Sequence, residues 1–432
     1  MNQVRAVVIG AGARGNEYAT FALDHPDRLK IVGVADPIPI RMKRMQSLYE
    51  IPGENVFSDW SDFIARDKFA DVVIITTQDR HHKKPAVACA DKGYHILLEK
   101  PMAVTEEDCQ EIVEACERNS VMLSVCLVFR YQESKVKIKE IIESGAIGKV
   151  VNIQHTEPVG YFHFAHSYVR GNWRAEKSSA FSLLTKSCHD IDLIYYWMGN
   201  SKCTQVSSFG SLNHFRKENK PVGAGYRCSD CSVEGGCPYS AKKIYMDGKN
   251  PSEWPTNLIT DVYDIENVTD ALKNGPYGRC VYECDNDVCD NQVVNFTFEG
   301  GRTASFTMVA FTEKICESQT RIFGTKGEIT CDGFGPVYVY DFNTGTTSSY
   351  VHSQTAPPGS HLWGHGCSDY FLMDAFIRAV STNDASYITT GPHESLNSHR
   401  LTFAAEQSRR ENRVVTIDDD IACSMTRNTN VN

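Results

Sequence analysis

The stretch VRAVVIGAGARG, residues 4–15, limits what this chain can fold into more than any other. VRAVVIG (4–10) is a short apolar run rich in β-branched residues, as expected of a strand buried on both faces. It runs into Gly10, Gly12 and Gly15, then a helix-like stretch, then a second strand-like run, KIVGVAD (30–36). Glycines at the first two positions permit a tight turn and the close approach of a pyrophosphate, and the third permits close packing of helix on strand. The helix start would offer free N–H groups and a positive dipole end to phosphates. Asp36 closes the second strand 21 residues after Gly15, where an acid accepts ribose hydroxyls. The pattern predicts a dinucleotide site at Gly10, Gly12, Ala13, Arg14, Gly15 and Asp36; the alternative is a glycine turn in some other α/β domain. A carboxylate at Asp36 repels a 2′-phosphate, which favours NAD over NADP, and Arg41 nearby works against that preference.

The alternation of strand and helix continues. ADVVIITT (70–77) reads as a strand, 82–93 as a helix ending at Gly93, and YHILLEKP (94–101) as a strand that delivers Glu99 and Lys100 and stops at Pro101. Residues 105–119 read as a helix capped by Thr105 with three acids in its first turn, and 121–129 as the next strand. Ligands bind outside the carboxyl ends of the strands in such sheets. That edge would carry Thr77, His82, Glu99 and Lys100 to the cofactor.

A chain of 432 residues is long for one core. The expected division is a dinucleotide-binding domain over 1–128, a second α/β domain over 129–415 with an insertion at about 211–290, and a terminal strand and polar, disordered tail over 416–432. A net charge of −10 disfavours nucleic acid and anionic membranes as partners. No apolar run is long enough to cross a bilayer, and the chain starts directly on a strand, so a cytoplasmic location is expected. Most of the sixteen cysteines then read as buried thiols.

LLTKSCHDIDLIYYW (183–197) crowds Lys186, Cys188, His189 and Asp190 ahead of an apolar helix. On one helix, Lys186, His189 and Asp190 would share a face. The bland readings are a helix entry with capping chemistry, and for Lys186 a salt bridge to Asp190 or Glu157. For Lys100 the bland reading is a solvated lysine before a turn; the functional one is a lysine at a cofactor pocket that handles a proton.

Together GAGARG, TTQDRHH and LLEKP resemble the Gfo/Idh/MocA oxidoreductases, named for glucose-fructose oxidoreductase and inositol dehydrogenase. WRAEKSSAFSLLTKSCHDIDLIYYWMG (173–199), HGCSDYFLMDAFIRAV (365–380) and SLNSHRLTFAAEQSRR (395–410) extend the resemblance to most of the chain outside about 211–290. It implies an N-terminal Rossmann domain followed by an α/β domain whose open, mostly antiparallel sheet supplies a pocket for sugars, cyclitols or related polyols. It implies that Lys100 contacts the reacting hydroxyl and the nicotinamide ribose, and that His189 shuttles the alcohol proton. One departure stands out. The family pattern places an Asp four residues before that histidine, where this chain has Thr185 and then Lys186. A second cation favours an alkoxide or enolate in front of it, so Lys186 is a third candidate catalytic residue. The expected chemistry is transfer of a hydride from a carbinol carbon to NAD. The alternative is a redox-neutral glycoside hydrolase working through a transient keto-sugar, and a non-catalytic NAD sensor is the third possibility.

EPVGYFHFAHSYVRGNWR (157–174) reads as a polar, aromatic loop suited to sugar hydroxyls, with His163, His166, Tyr168, Arg170, Asn172 and Trp173 as substrate contacts beside Lys186, His189 and Asp190. His163 and His166 could instead bind a metal. Cys228, Cys231 and Cys237 form C-x2-C-x5-C, with Cys280 as a fourth thiol; a structural zinc is expected there, with free thiols or an iron–sulfur cluster as alternatives. Residues 292–311 read as a hairpin around Gly300 and Gly301, and 321–332 and 336–351 extend an antiparallel sheet. One face of that sheet would serve a homo-oligomer. The loop 359–367 places His361 and His365 where they could reach the pocket.

Overall fold

A computed structural model describes residues 3–351 and 355–417; the expected polar tail lies outside them. Two sheets organise the chain. The first has six parallel strands in the order β3-β2-β1-β4-β5-β6: β1 Val4–Ile9, β2 Leu29–Ala35, β3 Val56–Phe57, β4 Val72–Ile75, β5 His95–Leu98 and β6 Leu123–Val125. Strands β1, β4 and β5 are almost wholly apolar and almost wholly buried, because helices cover both faces. Those helices include α1 (Ala13–Ala19), α2 (Pro39–Tyr49), α3 (Lys83–Asp91) and α4 (Glu106–Arg118). The side chain of Thr105 caps α4 by accepting from the Asp108 N–H, as its sequence predicts.

The second sheet has nine strands in the order β14-β13-β12-β11-β7-β10-β9-β8-β15. These are β7 Val150–Pro158, β8 Cys203–Ser211, β9 Asn291–Phe298, β10 Arg302–Val309, β11 Gln319–Gly324, β12 Gly327–Asp332, β13 Val337–Asp341, β14 Thr346–Tyr350 and β15 Val415–Thr416. Every pair is antiparallel except β7 with β10. The hairpin at Gly300 and Gly301 forms as expected, and both glycines have positive φ. Period-two burial along β9 puts Val294, Phe296 and Phe298 inside. Phe209 and Val293, paired across β8 and β9, stay exposed on the other face.

Three helices join the two halves: α5 (Cys188–Trp197) packs on β7 and β10, α7 (Pro392–Glu411) packs on β8 and reaches β6, and α6 (Ser368–Thr382) packs against β1 and α1. Arg130, just after β6, makes a bidentate ion pair with Asp192 of α5 at 2.7 Å for both bonds, with both side chains buried. That pair fixes the helix carrying His189 against the dinucleotide-binding half.

Two local expectations fail. Residues 161–170 are helical, a short α-turn (Tyr161–Phe164) running into a π-helix (Ala165–Arg170), rather than a loop. Aromatic side chains there stack on each other and on the insertion, which stabilises helical backbone that the polar composition alone would not suggest. The helix at 183–197 is also broken. Ser182–Thr185 forms one turn and α5 starts only at Cys188, so Lys186 does not share a helix face with His189.

Candidate active site

The glycine loop has the geometry its sequence predicts. Gly10 has φ of +95°, and a Cβ on it would meet the Thr76 carbonyl at 2.7 Å. A Cβ on Gly15 would stand 2.1 Å from the Gly10 carbonyl oxygen, so only glycine lets α1 approach β1. Asp36 is buried; its Oδ2 accepts from the Ala11 N–H at 2.7 Å and its Oδ1 from the Ile38 N–H at 2.8 Å. These residues fit the pyrophosphate and adenosine ribose of a dinucleotide.

Three neighbours play other parts. Arg14 turns its guanidinium away from the loop: Nε donates to Glu99 at 2.7 Å, Nη1 to Glu17 at 2.6 Å, and Nη1 and Nη2 to Asp369 at 3.0 and 2.7 Å. The acids converging on it hold its guanidinium, so any part it plays at a pyrophosphate falls to its backbone N–H. His82 is fully buried, with Nδ1 2.8 Å from the Pro101 carbonyl and Nε2 3.0 Å from that of Thr77; both ring nitrogens are taken, so it shapes the strand ends. Glu99 is occupied by Arg14 and by the Lys100 N–H at 2.5 Å.

Lys100 emerges just beyond β5. Its Nζ donates to the backbone carbonyl of Thr185 at 2.8 Å, at the position where the family pattern has its Asp. One residue further on, Lys186 Nζ bonds Glu157 Oε1 at 2.6 Å, with Glu157 wholly buried at the end of β7. The salt-bridge reading of Lys186 is thus realised, with Glu157 rather than Asp190. Burial opposes the charge on Lys186, but Cys316, Glu157 and Asp190 around it hold its ammonium well above the ordinary lysine range. Burial pushes the Glu157 carboxyl up, against the pull of Lys186. Asp190 faces His155, with Oδ1 3.0 Å from Nε2. Glu157 Oε2, Asp190 Oδ2 and His189 Nδ1 are buried with no hydrogen-bond partner among the described residues, so two acceptors and an imidazole have hydrogen-bonding capacity to spare.

His189, in the first turn of α5, is held well below the usual histidine value by burial and then by Lys100, His365 and Lys186. It is a neutral base at physiological pH. Burial also lowers His163, His399 and His166, the last to about 3. Unfolded histidines take up protons below about pH 6.5. Between that value and the folded one the unfolded chain binds more protons, so stability is full above about 6.5 and falls as pH drops. Each such group contributes up to about 1.4 kcal/mol per pH unit. Glu157 and Glu17, raised by burial, work in the opposite sense above their unfolded value. The urea midpoint is expected to fall between about pH 6.5 and about pH 5.5. An unchanged midpoint over that interval would count against neutral buried imidazoles.

The aromatic segment divides. His163 and Tyr168 stay by the pocket: His163 Nδ1 lies 3.5 Å from Cys316 Sγ, and Tyr168 stacks on Trp173 with centroids 5.9 Å apart. Trp173 donates from Nε1 to Asp79 at 3.0 Å, and Asn172 is exposed. His166 and Arg170 turn instead into the insertion. His166 bonds the Tyr245 hydroxyl at 2.9 Å and stacks on Tyr277, and Arg170 donates to the carbonyls of Arg279 and Tyr239. His163 also meets the insertion, with its ring 5.1 Å from Trp254 where His166 stands 5.9 Å from the same ring. Cys316 was not signalled by any motif. Its thiol beside Lys186 and Glu157 is pushed up to about 11 by burial, against the pull of Lys186.

Cys228, Cys231, Cys237 and Cys280 do converge, lining one cavity of about 250 Å³ together with Arg170. Among the described residues, however, no three His, Cys, Asp or Glu side chains are grouped so as to hold a metal ion. Cys228 Sγ instead accepts from Arg170 Nη2 at 3.6 Å and from the Ala241 N–H at 3.4 Å. The zinc expectation does not fit this geometry.

The loop before α6 brings one of its two histidines beside His189. His365 lies 6.2 Å from His189 and 5.8 Å from Phe129, centroid to centroid, and its Nδ1 is 3.0 Å from Asp369 Oδ2. Burial opposes the charge of Asp369, but Arg14 and His365 hold its carboxyl well below the usual range. His365, Gly366 and Cys367 all have positive φ. A Cβ on Gly364 would stand 1.9 Å from Asp369 Oδ2 and 2.1 Å from Glu17 Oε1. His361 instead bonds Asp24, away from His189.

The family profile described as "Oxidoreductase family, NAD-binding Rossmann fold" matches residues 4–127, and the one described as "Oxidoreductase family, C-terminal alpha/beta domain" matches 139–417. The chain belongs to the Gfo/Idh/MocA oxidoreductase family. It is similar to the oxidoreductase YteT of Bacillus subtilis, 25% identical over 358 residues, or 80% of this chain and 81% of that one. It is 32% identical over 207 residues to inositol 2-dehydrogenase of Salmonella typhimurium, covering 48% of this chain and 57% of the other, little more than half its length. The solved structure of levoglucosan dehydrogenase in complex with NADH and L-sorbose shares the fold, with a TM-score of 0.70 at 19% identity over 97% of this chain and 100% of that one. Among the described residues no helix is long and apolar enough to cross a membrane.

Proposed function

We propose that this chain oxidises a hydroxyl of a sugar, cyclitol or sugar derivative with NAD in preference to NADP. The observation that carries this reading is the meeting of Lys100, from the dinucleotide sheet, with the Thr185 carbonyl, one short turn before the neutral base His189. NAD, when bound at the glycine loop, supplies the hydride acceptor. His189 takes the hydroxyl proton on a ring nitrogen, and Lys100 donates a hydrogen bond to the oxygen as charge develops on it. The Lys186 ammonium, held by buried Glu157, stands ready to stabilise negative charge developing on the substrate. Kinship with inositol 2-dehydrogenase supports the substrate class. The exposed face carrying Phe209 and Val293 suits a second copy of the chain.

The His365–Asp369 dyad favours a second reading, a redox-neutral elimination through a transient ketone. A carbonyl acidifies the neighbouring C–H, so a base must take that proton while the leaving group departs. A carboxylate-oriented imidazole beside His189 provides a second proton carrier. A plain dehydrogenase needs only one.

One screen separates the two. Sugars and aryl glycosides are incubated with NAD in deuterated water. Net NADH formation supports the dehydrogenase. Aglycone release without net NADH, with deuterium next to the oxidised carbon, supports the second reading. Intact NAD binding with neither signal would sink both.

A further inference from the structure

The insertion at 211–290 does not stay with the second sheet. Its segment around Asp261 lies against α2, the helix that follows Asp36. Arg41, in the first turn of α2, donates from Nε and Nη2 to the two carboxylate oxygens of Asp261 at 2.9 and 3.2 Å, across 220 residues of sequence. Arg44, one turn later, donates to the Asp261 carbonyl at 2.9 Å and lies over the Tyr263 ring at 5.1 Å. The remaining nitrogen of Arg41, Nη1, points at the glycine loop, 3.7 Å from where a Cβ on Gly12 would stand.

Arg41 therefore occupies the ground between Asp36 and the glycine loop. In dinucleotide folds, an arginine close to the acidic residue at the second strand is what accommodates the 2′-phosphate of NADP. An arginine binds phosphate through a two-pronged fork of N–H donors. Here that fork is already closed on a carboxylate, and the paired charges cancel.

We infer that Asp261 is a specificity-determining residue for the cofactor: it sequesters Arg41 and so excludes the 2′-phosphate. Selection between NAD and NADP is then shared between the Rossmann strand, through Asp36, and a residue from the far half of the chain. The inference rests on dinucleotide binding at the glycine loop, not on which substrate is oxidised.

The test needs no substrate. NADH and NADPH dissociation constants are measured by cofactor fluorescence on the full chain. Asp261→Asn keeps the shape and the backbone contact to Arg44. It is expected to tighten NADPH by about tenfold while NADH stays within about twofold. Adding Arg41→Ala to that variant should abolish the gain. Unchanged NADPH affinity, a gain that survives without Arg41, or equal shifts for both cofactors would overturn the inference; the last is what a purely structural anchor gives. Should Asp261→Asn not fold, Arg41→Ala alone decides. The inference expects NADPH affinity within about twofold of the native value, whereas a selective loss of about tenfold would mean Arg41 already serves the phosphate. A native chain that binds neither cofactor would instead sink the dinucleotide reading itself.

Discussion

Lys100→Ala is expected to lower kcat for substrate oxidation by about 10²- to 10⁴-fold, the range of a positioned proton-handling group, with NADH binding little changed. The side chain bridges the dinucleotide sheet and the turn that leads to His189, where the proposed reaction places the hydroxyl. Alanine leaves the glycine loop and Asp36 untouched. The diagnostic is the split between turnover and cofactor affinity, read by steady-state kinetics and fluorescence titration. Unchanged turnover would remove Lys100 from the chemistry. Parallel loss of turnover and cofactor binding would reduce it to a structural role.

The second large effect is on stability. Lys186→Met leaves Glu157 buried with no counter-ion, since its Oε2 already lacks a partner. Breaking a buried pair by removing one member costs about 3–5 kcal/mol. The double variant Lys186→Met with Glu157→Gln should recover most of that loss, because no uncompensated charge remains. Urea denaturation of the native chain, both single variants and the double variant gives the coupling directly. A double variant no more stable than Lys186→Met would mean the pair is not what holds this corner together. The same set, assayed for turnover, tells whether the charge matters to chemistry once folding is restored.

Much of the fold was legible because its signals are local. The glycine spacing, the apolar strands and the Thr105 cap each follow from steric or hydrogen-bonding rules acting within a few residues. Lys100 and His189 were singled out through motif resemblance, and the structure brings Lys100 onto the turn that leads to His189. What escaped was set by long-range packing. The helical state of 161–170 depends on stacking against the insertion, for example His166 on Tyr277, and the insertion also engages Arg170. Arg14 lies inside the glycine motif, yet Asp369, 355 residues further on, decides where its guanidinium goes. Cys spacing suggested a metal, but spacing fixes only which thiols can meet. It does not fix whether they close to ligand distances, and Cys228 found Arg170 instead. Glu157 appeared as one possible partner of Lys186, and only the strand register singled it out from Asp190.

Gly364 has a meaning for reading other sequences. No side chain fits there without displacing Asp369 or Glu17, so the residue acts as a marker for the dyad behind it. In a homologue, anything larger at that place would signal that the carboxylate no longer steers the imidazole, even with both acid and histidine still present. One small residue thus reports on a contact between two side chains that its own atoms do not make.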